Sequence, residues 1–261
     1  MLEALDVVAD AGRAFVVEPL AYALLVALLF APLEWLRPER REQRTLSLSG
    51  RRVDLLFASV GAVAVEVLLF VVLGAALGLV ARGPTLELGA VLGPAASAVV
   101  GLLIFELVGY LYHRLAHAVP GLWRLHAVHH SAPTLDWLAS FRQHPVEIVA
   151  MTLAQNLPLV LLGIPLSAHA AIVVLIAVNT AFVHANLDVG PRWLAHVIAT
   201  PRFHHRHHDR DAAPRNFASM LPLLDHVFGT WSGERAARFG LPSGRAPSRF
   251  VAWALEVSKP W

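Results

Sequence analysis

The chain contains no cysteine, so disulfides, thiolate metal sites and cysteine nucleophiles are excluded, and any metal has to rest on His, Asp or Glu. It is also short of charge. Only 15% of its 261 residues are Asp, Glu, Lys or Arg, against 56% hydrophobic, and the mean hydropathy is +0.57. That is far more apolar than a soluble globular domain and marks an integral membrane protein. A formal charge of +2 and a sequence pI near 9.5 do not point to nucleic acid. The basic residues sit between apolar segments rather than along one exposed face. Internal repeats, low-complexity tracts, linkers and Gly-rich nucleotide loops are missing, and residues 1–112 hold no histidine.

Three apolar spans run over residues 14–36, 53–80 and 86–111. Each exceeds the roughly 20 residues that a helix needs to cross the bilayer core. Two further stretches, 145–162 and 166–183, are joined by Gly163, Ile164 and Pro165, a turn signal that predicts a helical hairpin. The loop between the first two spans carries Arg37, Arg40, Arg41, Arg44, Arg51 and Arg52, whereas the next turn offers only Arg82. By the positive-inside rule the first loop is cytoplasmic, the N-terminus lies outside, and the third span returns to the cytoplasmic face. The N-terminal segment lacks the basic start and small-residue cleavage site of a signal peptide and is expected to stay as a helix. The expected fold class is all-α: a polytopic membrane helix bundle with four or five membrane helices and a cytoplasmic histidine-rich helical cap. Arg142 and Arg202 are read as further positive-inside charge rather than as contacts to a lipid head group.

Thirteen of the fourteen histidines lie between His113 and His208. HRLAH supplies His113 and His117, HAVHH supplies His126, His129 and His130, and HHRHH supplies His204, His207 and His208. Positions i, i+3 and i+4 share a helix face, so each box can aim two or three imidazoles at one point. Imidazole suits Zn, Cu, Fe and Ni, and such sites are assembled from facing helices of a bundle. Because a zinc ion takes about four ligands, eight clustered imidazoles imply two metals. Lone histidines carry a blander reading: His169 at the far turn of the hairpin is structural, and His196 and His226 are interfacial. Glu106, about two turns before His113, either lines a substrate channel or makes an interhelical hydrogen bond. A metallohydrolase would show H-E-x-x-H, which neither HRLAH nor HAVHH has. A histidine-rich metal transporter is the non-enzymatic alternative, but it would place its ligands near the bilayer midplane.

The three boxes resemble the H-x3-H, H-x2-HH and H-x2-HH boxes of the fatty acid hydroxylase superfamily, also called the sterol desaturase family. FRQHPVE at 141–147, FVHANLD at 182–188, TPRFHHRHHD at 200–209 and LPLLDHVFGT at 221–230 are similar to its supporting stretches. The resemblance covers residues 95–232, leaving 1–94 as N-terminal membrane helices and 233–261 as a C-terminal tail. It implies a non-haem membrane oxidase holding two iron ions, with O2 as co-substrate, that hydroxylates a lipid C–H bond (fatty acyl, sterol or related), or alternatively desaturates it. The electrons would come from a separate electron-donor protein. The implied ligands are His113, His117, His126, His129, His130, His204, His207 and His208, with His184 as a ninth and His144 as a further candidate; His205 falls between box positions. Metal-bound imidazoles need an outer hydrogen-bond partner, for which Asp136, Glu147, Asp209 and Asp225 are the nearby carboxylates. Where some members carry another histidine, this chain has Asp188, a candidate for either role.

Overall fold

The computed structural model describes residues 2–45, 48–80 and 86–241 and is all-α. Long Leu, Val and Ala runs form helices because a helix satisfies every backbone N–H and C=O internally, which lipid demands. Three helices are long and apolar enough to cross a membrane: Val16–Leu36, Arg51–Ala76 and Leu88–Ala118. The first lies within α1 (Leu2–Leu36). The second joins α2 (Leu48–Leu56) to α3 (Ala62–Val80) through a π-turn, Phe57–Gly61. The third is α4 (Leu88–Ala118), which bends at Gly93 (φ 73°) beside Pro94, a residue with no N–H to continue the ladder. Because α4 runs past the expected end at 111, His113 and His117 ride on the membrane helix itself.

The expected hairpin is present as two shorter apolar helices, α6 (Pro145–Leu161) and α7 (Leu166–His184). Its tip is tied to the start of α4, where Leu86 and Leu88 N–H groups donate to Leu161 O and Leu162 O at 3.0 and 2.9 Å. This contact needs two glycines. A Cβ on Gly89 would lie 2.3 Å from Gly163 O, and Gly163 itself takes φ +68°. Phe105, Leu159, Ile164, Ala168 and Ile172 pack between α4 and the hairpin. Leu24, Leu28, Phe70, Val91 and Val174 face outward as an apolar surface suited to lipid.

The C-terminal ends of α1, α4 and α7 meet at one end of the bundle, under a cap of short elements. These are α5 (Pro120–His130), the 3-10 turns Trp137–Phe141 and Arg192–His196, α8 (Pro201–His207) and α9 (Leu223–Val227). The segment after α1 docks beside the segment after α7: Glu39 N–H donates to Asn186 O and Asp188 N–H to Arg37 O, both at 3.2 Å. Part of the expected tail also belongs to the cap. Phe239 packs on Ala132, Leu135 and Ala139, and the Arg40 guanidinium donates to the Ala236 and Ala237 carbonyls. Arg82 and the His169 side chain lie outside the described residues.

Candidate metal centre

Short links aim the imidazoles. Val119 is extended (φ −100°, ψ 116°) and Pro120 opens α5 where no N–H is required, so α5 folds back against the end of α4. The Thr200 hydroxyl accepts the Phe203 N–H and Pro201 follows at the first turn, which starts α8. Nine histidines then converge in two groups, within each of which the ligand nitrogens lie within 4.8 Å of one another. The first holds His113, His117, His126, His130 and His207; the second holds His129, His184, His204 and His208. In the first, Nε2 of His126 stands 3.1 Å from Nε2 of both His113 and His130, and His207 Nε2 stands 3.1 Å from His130 and 3.2 Å from His117. In the second, His184 Nε2 is 3.1 Å from His129 and from His204, and His204 is 3.1 Å from His208.

The outer nitrogens decide what these contacts are. His113, His129, His184 and His207 direct Nδ1 at the carbonyls of Phe217, Arg142, Thr180 and Arg215, at 2.7, 3.1, 2.6 and 2.8 Å. His126 directs Nδ1 at Glu147 Oε1, at 2.7 Å. A carbonyl only accepts, so Nδ1 carries the proton and Nε2 of the neutral ring is a lone pair. The His113–His126 and His129–His184 contacts therefore set lone pair against lone pair at 3.1 Å. Only a cation between them makes that favourable. Burial, helped by neighbouring imidazoles, holds His126, His129, His130, His204, His207 and His208 well below the usual histidine range, so the rings are neutral and ready to ligate. A metal–nitrogen bond of about 2.1 Å with neighbouring ligands at right angles spaces nitrogens about 3.0 Å apart, which the geometry matches.

Residues 98–230, just over half of the 261-residue chain, match the model of the fatty acid hydroxylase family. The chain belongs to the fatty acid hydroxylase family. It is 35% identical over 135 residues to ornithine lipid hydroxylase OlsE of Rhizobium tropici, covering 51% of this chain and 41% of that protein. It is 33% identical over 154 residues to alkylglycerol monooxygenase of Danio rerio, covering 56% of this chain and 33% of the relative. For the human alkylglycerol monooxygenase the identity is 30% over 129 residues, 48% of this chain and 28% of the relative. The chain thus spans less than half the length of these relatives. No solved structure matches it.

Around this fatty acid hydroxylase-family site, the expected outer carboxylates divide. Glu147, at the start of α6, touches an imidazole. Asp225 acts one bond further out: it accepts the Phe217 and Ala218 N–H groups and the Thr230 hydroxyl, and Phe217 O in turn holds His113. Asp136 caps the Trp137–Phe141 turn, and Asp209 accepts N–H groups of Asp211, Ala237 and Arg238. Neither meets a clustered ring. Asp188 is exposed and faces Arg202 at 3.5 Å, because the chain leaves α7 in extended conformation at Ala185 and carries position 188 outward. His144 joins neither group; its Nδ1 accepts the Val146 N–H and caps α6. Glu106 resolves to a hydrogen-bonding role, with Oε2 accepting Met220 and Leu221 N–H at 2.9 and 3.0 Å.

Arg142 is a correction to the charge-based expectation. It is 1% exposed, donates from Nε to Asp54 Oδ1 at 2.5 Å, and offers the carbonyl that holds His129. It is a buried strut, not topological charge. His205, outside both groups, places Nδ1 2.7 Å from Glu39 Oε2 and Nε2 3.2 Å from His184 O, linking the post-α1 segment to the site. His196 and His226 stack on Trp231, away from both groups.

Two adjoining cavities lie beside the imidazoles. A 90 Å³ space is lined by His113, His126, His129, His184 and His204. A 570 Å³ cavity, walled by α1, the π-turn, α3, α4, α6 and α7, is lined mostly by apolar side chains including Phe57, Val65 and Phe105, with Tyr22, Glu18 and Glu66 also in its wall. Gln143, Met151, Gln155, Ile176 and Thr180 line both. Gln155 crosses to donate to Phe105 O at 3.3 Å, and Gly109 makes room for it, since a Cβ there would come within 2.4 Å of Gln155 Nε2.

Proposed function

We propose that the protein is a membrane-bound, O2-dependent di-iron oxidoreductase that hydroxylates a C–H bond of a lipid. The carrying observation is that a largely apolar cavity among the membrane helices shares five wall residues with a small chamber walled by both imidazole groups. The volume of 570 Å³ falls in the range that holds a ligand of lipid-chain width. His113, His117, His126, His130 and His207 would hold one iron, and His129, His184, His204 and His208 the other. When bound, the two irons supply the activation of O2 that cleavage of an unactivated C–H bond requires. The balance is one oxygen atom into the C–H bond and one into water, at the expense of two electrons and two protons.

The protein's own groups bind, orient and exclude. Glu147 and the carbonyls of Phe217, Arg142, Thr180 and Arg215 fix the ring tautomers, so the inner nitrogens face the metals without rearrangement. The Tyr22, Phe57 and Phe105 walls keep water from the acyl chain. Gln143, Gln155 and Thr180 form a polar collar where the chain passes from cavity to chamber. Arg37, Arg40, Arg41, Arg51 and Arg52 at the cap end support a cytoplasmic site in an integral membrane protein, and the hairpin reaching the start of α4 supports five membrane helices. The balance calls for two electrons, which we assign to a separate electron-donor protein. Oxygen insertion is favoured over desaturation because the three relatives described above are named hydroxylase and monooxygenase.

The test is lipid mass spectrometry of cells with and without the gene, grown under 18O2 with iron. One labelled oxygen in a lipid is the expected result. Loss of two hydrogens without label would make the reaction a desaturation, and an unchanged lipidome with the iron-loaded protein present would overturn the proposal.

A further inference from the structure

A third cavity, of 220 Å³, shares no lining residue with the two beside the imidazoles. Its walls include Glu34 and Trp35 of α1, Gln43, Arg51 of α2, Asp136 and Trp137. Each carboxylate has one oxygen engaged by backbone: Glu34 Oε1 accepts Trp137 and Asn186 N–H at 2.7 and 2.9 Å, and Asp136 Oδ1 accepts Leu138 and Ala139 N–H at 3.1 Å. The second oxygens remain. Asp136 Oδ2 has only the half-exposed Arg51, 3.9 Å away, and Glu34 Oε2 has no partner among the described residues. Two carboxyl groups thus share the cavity with one guanidinium. Gln43 adds an independent sign: it is 7% exposed, and its buried Oε1 has no hydrogen-bond partner. A buried acceptor left without a donor costs about 1–3 kcal/mol, which a donor entering the cavity would recover.

The missing group must be a cation, must carry several N–H donors, and must have an apolar body that can lie against indole rings. A primary alkylammonium has all three properties. A bare metal ion would leave most of 220 Å³ unfilled. Trp35 and Leu36 are exposed at the end of the α1 span, which puts the cavity at the membrane–water boundary, where amine-bearing head groups reside. We propose that this cavity binds a primary alkylammonium group, carried either by a lipid head group or by a soluble amine. Binding there needs neither metal nor turnover, so it stands apart from the reaction assigned above.

The test uses the full-length protein in a neutral detergent, titrated with dihexanoyl phosphatidylethanolamine below its micelle concentration and followed by melting temperature and tryptophan fluorescence. Ligand binding to the folded state raises the melting temperature by mass action. The ethanolamine lipid is expected to raise it and the matching phosphatidylglycerol is not. Glu34→Gln keeps the acceptor for both backbone N–H groups while removing the charge, and should weaken binding at least about tenfold. Gln43→Leu, which leaves both carboxylates in place, should weaken it several-fold and provides the test should E34Q fold poorly. Free ethanolamine binding as tightly as the lipid would identify a soluble amine as the source; binding of the lipid alone would identify a head group. Equal shifts from both lipids, an equal shift from magnesium chloride alone, or unaltered binding in the two variants would overturn the proposal.

Discussion

The two imidazole groups share α5 and α8, the first adding α4 and the second α7, and they differ in how they are supported and enclosed. In the first group, five rings include the half-buried His113 and His117, and the Trp123 ring lies 5.1 Å from His117. A 260 Å³ cavity lined by His117, His130, His207, Asp209 and Arg210 opens to this group alone. In the second group all four rings are buried, and His129, His184 and His204 meet the chamber on the lipid side, beside His113 and His126 of the first. Support differs too. The first has the only carboxylate in contact with a clustered ring among the described residues, Glu147; the second leans on backbone carbonyls, and His204 Nδ1 is buried without a partner. A carboxylate raises the basicity of its imidazole more than a carbonyl does. By ligand number and outer charge the first group is expected to hold a metal more tightly, and the second by enclosure.

The sharpest break comes from removing one ligand on each side. His207→Ala and His204→Ala are expected each to lose about one metal per folded chain, from opposite groups, and each to lower lipid oxidation by more than the roughly hundredfold that outer partners command. Metal analysis beside thermal melting checks this. If both variants lost all metal while staying folded, the groups would be one coupled unit rather than two sites.

Next in size is Asp54→Ala, which strands the buried Arg142 guanidinium behind the second group. Breaking a buried pair in this way costs about 3–5 kcal/mol, so the melting temperature should fall and the second metal should be lost before the first. The double replacement of Asp54 and Arg142 by Leu and Met should recover part of that loss. An unchanged melting temperature in Asp54→Ala would mean that the charge of Asp54 contributes nothing.

Glu147→Gln addresses the other side. The carboxamide keeps an acceptor for His126 but drops the charge, and the affinity of one metal should fall by about 10- to 100-fold in a chelator competition while the other is held as before. Equal weakening of both metals would remove the distinction drawn from Glu147. The smallest effect is expected at His144→Ala, which loses a helix cap and serves neither group: about 1 kcal/mol of stability, with metal content intact. Loss of metal in that variant would make His144 a ligand.

Much of the site was legible because helix geometry is local. Any helix puts positions i, i+3 and i+4 on one side, so the boxes announce converging imidazoles before any partner is known. The composition announces the membrane, since only internally bonded helices can carry such apolar runs through lipid. The ends of the spans were less legible: α4 carries its histidines because nothing interrupts the helix before Val119, whereas hydropathy fades at 111. Charge pattern misread Arg142, whose neutralising partner Asp54 lies 88 residues away and is invisible to a local reading.

What the sequence by itself determined is the material of the centre: membrane helices, an excess of imidazole without thiolate, and its gathering at one end of the bundle. Only the tertiary structure decided the partition. α5 sends His126 and His130 to the first group and His129 to the second, while α8 sends His204 and His208 to the second and His207 to the first. Neighbouring positions on a helix point about 100° apart. Which of those directions faces which site depends on how α5 and α8 are set against α4 and α7. The carbonyls that select each tautomer are likewise supplied by folding, because every residue has one and no side-chain identity marks those that will point inward.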